Sequence, residues 1–112
     1  MTETGSPDNW GNGDTLTVIG TLRFKPEHEH EFLALATRVV QAVHDQEPGT
    51  ILFALHKHPS EAHAYVWVER YRDAKAFQAH SAAPYIVDGL AKLSNWLSMP
   101  PDVQELSQLA PA

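Results

Sequence analysis

Three side chains with acid–base chemistry, Glu69, Tyr71 and His80, lie close together in the chain. The run Ala64–Tyr71 has the aromatic and β-branched content and the two-residue period that are typical of a strand, which places Glu69 and Tyr71 on one face. Asp73 is a favourable N-cap, so a short helix is expected to follow and to return His80 over one side of the sheet. The sequence therefore predicts that a carboxylate, a phenol and an imidazole share one pocket.

The chemistry predicted for this pocket is proton transfer. His80 would act as a base on an acidic phenol or enol, with Tyr71 donating a hydrogen bond and Glu69 orienting the imidazole. A substrate deprotonated in this way can pass an electron to O₂, which requires orientation and an apolar cavity but no metal or flavin cofactor. The alternative is structural: Glu69 ties the strand to the short helix, and His80 is a buried packing residue.

Aromatic side chains near this pocket are candidates for binding a flat aromatic ligand. Trp67, Tyr65 and Phe53 lie on predicted strands, and Phe77 is returned over the same side by the turn before the short helix. Gly20, inside another predicted strand, either leaves room for such a ligand or marks a β-bulge. The alternative for the aromatic residues is an ordinary place in the hydrophobic core.

Hydrophobic periodicity and turn residues predict an α+β domain. The predicted strands are Thr15–Phe24, Thr50–His58, Ala64–Tyr71 and Asp102–Leu106, and the predicted helices are Glu27–Gln46, the short Ala74–His80, and a third that begins at Pro84. Apart from the short helix the order is β-α-β-β-α-β, which is typical of a ferredoxin-like fold with a four-stranded antiparallel sheet.

Three further expectations concern burial. The third helix is expected to bury one stripe, made of Ile86, Leu90, Leu93 and Leu97. The second strand is almost continuously apolar, so it is expected to be covered on both faces. The face of the sheet opposite the helices carries Ile19, Val66 and Val68, and burying this face against a second copy of the chain predicts a twofold homodimer.

Length and charge limit the classes of function. One domain is expected over residues 15–107, between flexible tails at 1–14 (which contains Trp10) and 108–112. The net charge of −6 argues against nucleic acid or an anionic membrane as partner. The sequence has no cysteine, no signal-like start and no apolar run long enough to span a membrane, so a cytoplasmic protein is expected.

The seven histidines do not predict a metal site. His28 and His30 would lie about 200° apart around a helix axis, so they cannot chelate one ion together. His56, His58 and His63 meet only at a solvent-facing hairpin end. Glycine-rich phosphate loops, G-x-S-x-G elbows and H-E-x-x-H motifs are also absent from the sequence, and we expect no metal and no nucleotide cofactor.

Three segments resemble the antibiotic biosynthesis monooxygenase domain. They are the first strand with its KPE sequence, the helix that contains Phe32 and ends in Glu47–Thr50, and the run Val68–Tyr85. The resemblance implies a dimeric α/β barrel and cofactor-independent oxidation of a small aromatic, polyketide-like or quinol substrate with O₂. Two alternatives stay open: a cofactor-free isomerase of a keto or enol metabolite, and a small-molecule-binding module without turnover.

One branch of this family degrades heme, and its typical residues differ from those of this chain. That branch relies on an Asn in the first strand, a Trp at the end of the third strand and a His in the last helix. The corresponding residues here are Gly20, Tyr71 and Leu90. Because leucine cannot ligate iron, the resemblance implies neither heme binding nor heme degradation.

Overall fold

The computed structural model describes residues 14–109 of the chain. Its elements are β1 (Leu16–Arg23), a 3₁₀ turn (Pro26–His28), α1 (Glu29–Gln46), β2 (Thr50–Lys57), β3 (Ala64–Tyr71), α2 (Ala74–Ala82), α3 (Pro84–Leu93) and β4 (Asp102–Ser107). The strands form one antiparallel sheet in the order β2-β3-β1-β4, which confirms the predicted ferredoxin-like fold. Trp10 and most of both predicted tails lie outside the described residues.

The register of the strands places the candidate residues on one face. Val18 of β1 lies opposite Glu69 of β3, and Gly20 lies opposite Trp67. Phe53 of β2 lies opposite Glu69 on its other side. Directly opposed residues of antiparallel strands point to the same face, and this face is the one that the three helices cover. Three strands therefore contribute side chains to the space beneath the helices.

The most densely packed part of the core lies at one end of that space. The rings of Phe24 and Phe32 stack with centroids 4.1 Å apart, and Tyr65 contacts both of them edge-on or tilted. The Tyr65 hydroxyl donates a hydrogen bond of 3.2 Å to Glu29 at the start of α1. Tyr65 is thus a core residue with a satisfied hydroxyl.

The third helix is shorter than the predicted stripe. α3 ends at Leu93, and Leu97 lies beyond it, where it forms an isolated β-bridge with Phe24. The prediction was wrong for Leu97 because the chain must leave the helix to reach the sheet. Leu90 lies on the helix but is 56% exposed. Leu90 is therefore on the edge of the core, while Ile86 and Leu93 are inside it.

The second strand is not covered on both faces in the single chain. Helices pack on only one side of the sheet, so Leu52 on the opposite side is 39% exposed. A register shift between Thr50 and Leu52 also turns Ile51 outward. On the helix-free face Ile19, Val66 and Val68 are only half-buried. Across residues 14–109, no helix combines the length and the hydropathy needed to span a membrane.

Candidate functional site

A largely apolar cavity of about 240 Å³ lies between the sheet and the helices. Six of the predicted site residues line it: Gly20, Phe53, Trp67, Glu69, Phe77 and His80. Phe53 and Trp67 form one wall, with their rings stacked at a centroid distance of 4.5 Å. Tyr65 and Tyr71 do not line the cavity, because Tyr65 lies in the aromatic core and Tyr71 is completely buried behind Glu69.

The position of His80 follows from the start of α2. Asp73 caps this helix by accepting a hydrogen bond of 2.8 Å from the backbone N–H of Ala76, as the sequence predicted. α2 then carries His80 over the sheet, where the imidazole is 5% exposed. Its ring packs against Phe53 and Tyr71, with centroids 5.1 Å away in both cases. The imidazole is thus held between a ring of β2 and a ring of β3.

The carboxylate that hydrogen-bonds His80 is Glu47. Its Oε1 lies 2.8 Å from Nδ1 of His80, and the same oxygen accepts a bond of 2.7 Å from the Thr50 hydroxyl. The Tyr85 hydroxyl donates to Oε2. Sequence reasoning assigned this orienting role to Glu69 and gave no role to Glu47 or Tyr85. The only feature of the sequence that pointed to them was their position inside the segments that resemble a known family, Glu47–Thr50 and Val68–Tyr85.

The hydrogen bonds to Glu47 decide its charge. Burial by itself raises the pKa of this carboxyl, but the donors Tyr85, Thr50 and His80 outweigh burial and hold its pKa below the ordinary value. Glu47 is therefore ionised at neutral pH and can only accept hydrogen bonds. Nδ1 of His80 therefore donates to Glu47, and in the neutral form of the imidazole the lone pair is on Nε2.

Glu69 and Tyr71 form a second buried pair beside His80. The Tyr71 hydroxyl donates to Oε1 of Glu69, and the same oxygen lies 3.9 Å from Nε2 of His80. Burial raises the pKa of Glu69, and burial together with the neighbouring Glu69 raises the pKa of Tyr71, so the phenol stays a donor. The predicted carboxylate, phenol and imidazole do meet, but the phenol contacts the carboxylate rather than the cavity.

Two glycines shape the site in opposite ways. A Cβ atom built on Gly49 would lie 2.7 Å from Cβ of Ala76, so the turn after Glu47 can approach α2 only without a side chain. A Cβ atom on Gly20 would meet nothing within 4 Å. Gly20 therefore leaves empty space at the wall of the cavity that it lines.

The arrangement suits proton transfer in an apolar cavity. Nε2 of His80 makes no hydrogen bond within residues 14–109, and it belongs to a ring in the cavity wall. In the described part of the chain, no cluster of three or more His, Cys, Asp or Glu side chains is arranged to hold a metal ion. The hairpin histidines have separate partners: His63 contacts Glu29, and His58 accepts from the backbone of its own turn.

Residues 15–92 match the model of the antibiotic biosynthesis monooxygenase family. The chain belongs to this family. Membership confirms the resemblance, and it supports a monooxygenase-like function in general terms.

Two bacterial proteins are similar to the chain in sequence. A Bacillus subtilis protein named "Putative monooxygenase YcnE" is 32% identical over 95 residues, which cover 83% of this chain and 99% of that protein. The Synechocystis protein sll1783 is 26% identical over 94 residues, covering 84% of this chain. This chain spans only 63% of the length of sll1783.

A solved structure has the same fold as this chain. Rv0793 from Mycobacterium tuberculosis superimposes with a TM-score of 0.80, covering 88% of this chain and 98% of that one. The sequence identity is 23%, so this likeness bears on the fold alone.

Proposed function

We propose that this protein is a cofactor-independent monooxygenase that uses O₂ to oxidise a small aromatic, polyketide-like or quinol substrate. His80 removes a proton from the substrate, and the resulting carbanion reduces O₂. One observation carries the proposal: a buried imidazole in the wall of an apolar cavity of about 240 Å³ is hydrogen-bonded through Nδ1 to an ionised Glu47. A carboxylate in this place orients the ring and stabilises the imidazolium that forms when Nε2 accepts a proton.

The cavity supports a small and flat substrate. Its volume lies below the range of about 300–1,000 Å³ that is usual for sites of drug-sized ligands. The stacked rings of Phe53 and Trp67 offer a flat apolar surface next to His80. An aromatic ring that packs on this surface could present a phenol, an enol or an activated C–H bond to the imidazole.

The reaction balances without a further reductant. For a substrate with an activated CH₂ group, His80 takes one proton, the carbanion adds to O₂, and the peroxide that forms is protonated. Loss of the second C–H proton to the base and of hydroxide from the peroxide leaves a carbonyl group and water. The sum is R₂CH₂ + O₂ → R₂C=O + H₂O, in which the substrate supplies four electrons.

An oxygen electrode tests the proposal with an anthrone or a dihydroquinone as substrate. Replacement of His80 by Gln keeps a donor for Glu47 but removes the base, so O₂ uptake should fall by about 10²–10⁴-fold. The matched control is His44→Gln on the exposed side of α1, which should behave like the parent. If His80→Gln retains the parent's turnover at an unchanged melting temperature, His80 is not the base.

Anaerobic assays separate this function from its alternatives. An isomerase of a keto or enol compound should turn over without O₂, and a binding module should bind the compound and convert nothing. Either result would contradict the monooxygenase proposal. The distinction is informative because all three functions use the same cavity.

The proposal includes a homodimer. The helix-free face of the sheet carries the half-buried Ile19, Val66 and Val68 and the exposed Leu52, and burying such a continuous apolar face against a second copy removes it from water. The cavity lies on the opposite face of the sheet, so association of this kind leaves it accessible.

A further inference from the structure

Glu69 is a buried carboxyl group with few partners. Its side chain is 13% exposed and lines the apolar cavity. Oε1 accepts a hydrogen bond from Tyr71, whereas Oε2 has no hydrogen-bond donor within residues 14–109. An ionised carboxylate in such surroundings has lost most of its hydration and has gained one hydrogen bond in return.

Among the described residues, no positively charged group pairs with Glu69 alone. On the sheet it lies between Val18 and Phe53, and the exposed Glu105 shares this face beyond Val18. No lysine or arginine of the described residues lies within ion-pair distance of its oxygens.

On the helix side Glu69 faces His80, with Glu47 and Tyr85 behind that ring. The imidazole is shared unequally between the two carboxyl groups. Glu47 holds Nδ1 at 2.8 Å, while the distance from Nε2 to Glu69 is 3.9 Å. Both burial and the negative charge of Glu47 raise the pKa of Glu69.

We propose that Glu69 carries a proton and is the acid of the site, paired with His80 as its base. This inference rests on the proposed function and gives Glu69 a different task from the orienting role that Glu47 already fills. A neutral carboxyl group can donate a hydrogen bond into the cavity from its hydroxyl oxygen while its carbonyl oxygen accepts from Tyr71.

The pair closes a proton cycle. After His80 has deprotonated the substrate and O₂ has added to the carbanion, Glu69 gives its proton to the peroxide oxygen. The nearer carboxylate oxygen of Glu69, Oε1, lies 3.9 Å from Nε2 and accepts from Tyr71, so the imidazolium returns its proton to Glu69 through the hydroxyl of the bound peroxide, which restores both groups. Across the cycle a substrate C–H bond gives way to an N–H bond of His80, the O–H bond of Glu69 gives way to that of the peroxide, and the N–H bond gives way to a new O–H bond of Glu69, so the protons balance.

The protonation state can be measured without any substrate. In protein labelled with ¹³C at the glutamate carboxyl carbons, Glu69→Gln identifies the Glu69 signal by its loss, and Tyr71→Phe identifies it independently by shifting it. We expect the Glu69 signal to titrate well above the ordinary glutamate pKa of about 4.3. The exposed Glu27 is the internal control and should titrate near the ordinary value. A Glu69 signal that titrates at or below 4.3 would overturn the proposal.

The catalytic part is tested by isotope exchange in D₂O. Under anaerobic conditions Glu69→Gln should still exchange the acidic hydrogen of the substrate with solvent, because His80 is intact, whereas His80→Gln should not. In air, Glu69→Gln should form product about 10²–10⁴ times more slowly than the parent. The parent's turnover should also fall at high pH as Glu69 loses its proton, and this alkaline decline should be absent in Glu69→Gln.

The two proposals fail in different ways. If the parent consumes O₂ and Glu69→Gln does so equally fast, Glu69 is not the acid and the monooxygenase proposal stands. If neither the parent nor any variant exchanges substrate hydrogen or consumes O₂, the proposed function fails, and with it the catalytic role of Glu69, even if the carboxyl group is protonated.

Discussion

Substitutions at Gly20 separate the stability of the protein from the use of its cavity. Glycine inside a strand is less favourable than alanine by about 0.5–1 kcal/mol, because its unfolded chain has more freedom to lose. The Cβ atom of an alanine at position 20 would meet nothing within 4 Å, and the backbone there is not in the left-handed region. Gly20→Ala should therefore raise the melting temperature by about 2–8 °C, as followed by calorimetry.

The same substitutions should weaken catalysis step by step. The added methyl groups of Gly20→Ala and Gly20→Val project into a cavity of only about 240 Å³. A single methylene group in an apolar pocket changes discrimination by about 10–200-fold, so kcat/KM for an aromatic substrate should fall at least tenfold in Gly20→Val. Oxygen uptake at several substrate concentrations measures this loss.

Gly49→Ala is the matched comparison. Its Cβ atom would come within 2.7 Å of Cβ of Ala76, so this variant should be less stable by about 1–3 kcal/mol. Our reasoning is refuted if Gly20→Ala is less stable than the parent. It is also refuted if Gly20→Val keeps the parent's kcat/KM, since the substrate would then not occupy this cavity.

Three further predictions concern assembly, cofactors and pH. Light scattering at micromolar concentration should give about twice the chain mass of 12.4 kDa, because Val66 and Val68 are half-buried in a monomer and would forgo part of the roughly 1.5–3 kcal/mol that full burial of each contributes. A stable monomer would contradict this architecture. The purified protein should be colourless and bind titrated heme weakly, since Leu90 offers no iron ligand, and a tight Soret shift followed by heme loss would show the opposite. The lowered pKa of Glu47 contributes stability above about pH 4.5 that is lost as pH falls through the folded-state pKa. Glu47→Gln should therefore melt below the parent at pH 7 and approach it in acid; a constant difference would assign the effect to packing.

The alternation of residues along β1 and β3 was sufficient to predict which side chains share a face. A strand has a period of two residues, so Gly20, Trp67 and Glu69 had to point the same way once the strands paired. The Asp73 cap likewise placed His80 over the sheet. These predictions succeeded because each depends on local geometry that a few neighbouring residues determine.

The same local pattern could not separate the cavity from the core. Tyr65, Trp67 and Tyr71 occur at equivalent positions of one strand, yet only Trp67 lines the cavity. Tyr65 packs on Phe24 and Phe32, and Tyr71 lies behind Glu69. Which aromatic ring faces empty space depends on where the helices cross the sheet, and this is a property of packing between distant segments.

The fold and the face that bears the site could be predicted from the amino-acid pattern, because periodicity, caps and turn residues act over a few positions of the chain. The hydrogen-bond partner of His80 could not be predicted from this pattern. Glu47 is 33 residues away in the sequence and Tyr85 is 38 residues from Glu47, and both reach the imidazole network only when α1, α2 and α3 pack together. Burial and hydrogen-bond donors then set the direction of each pKa shift, since three donors hold the pKa of Glu47 below its ordinary value whereas burial raises the pKa of Glu69, which has one donor.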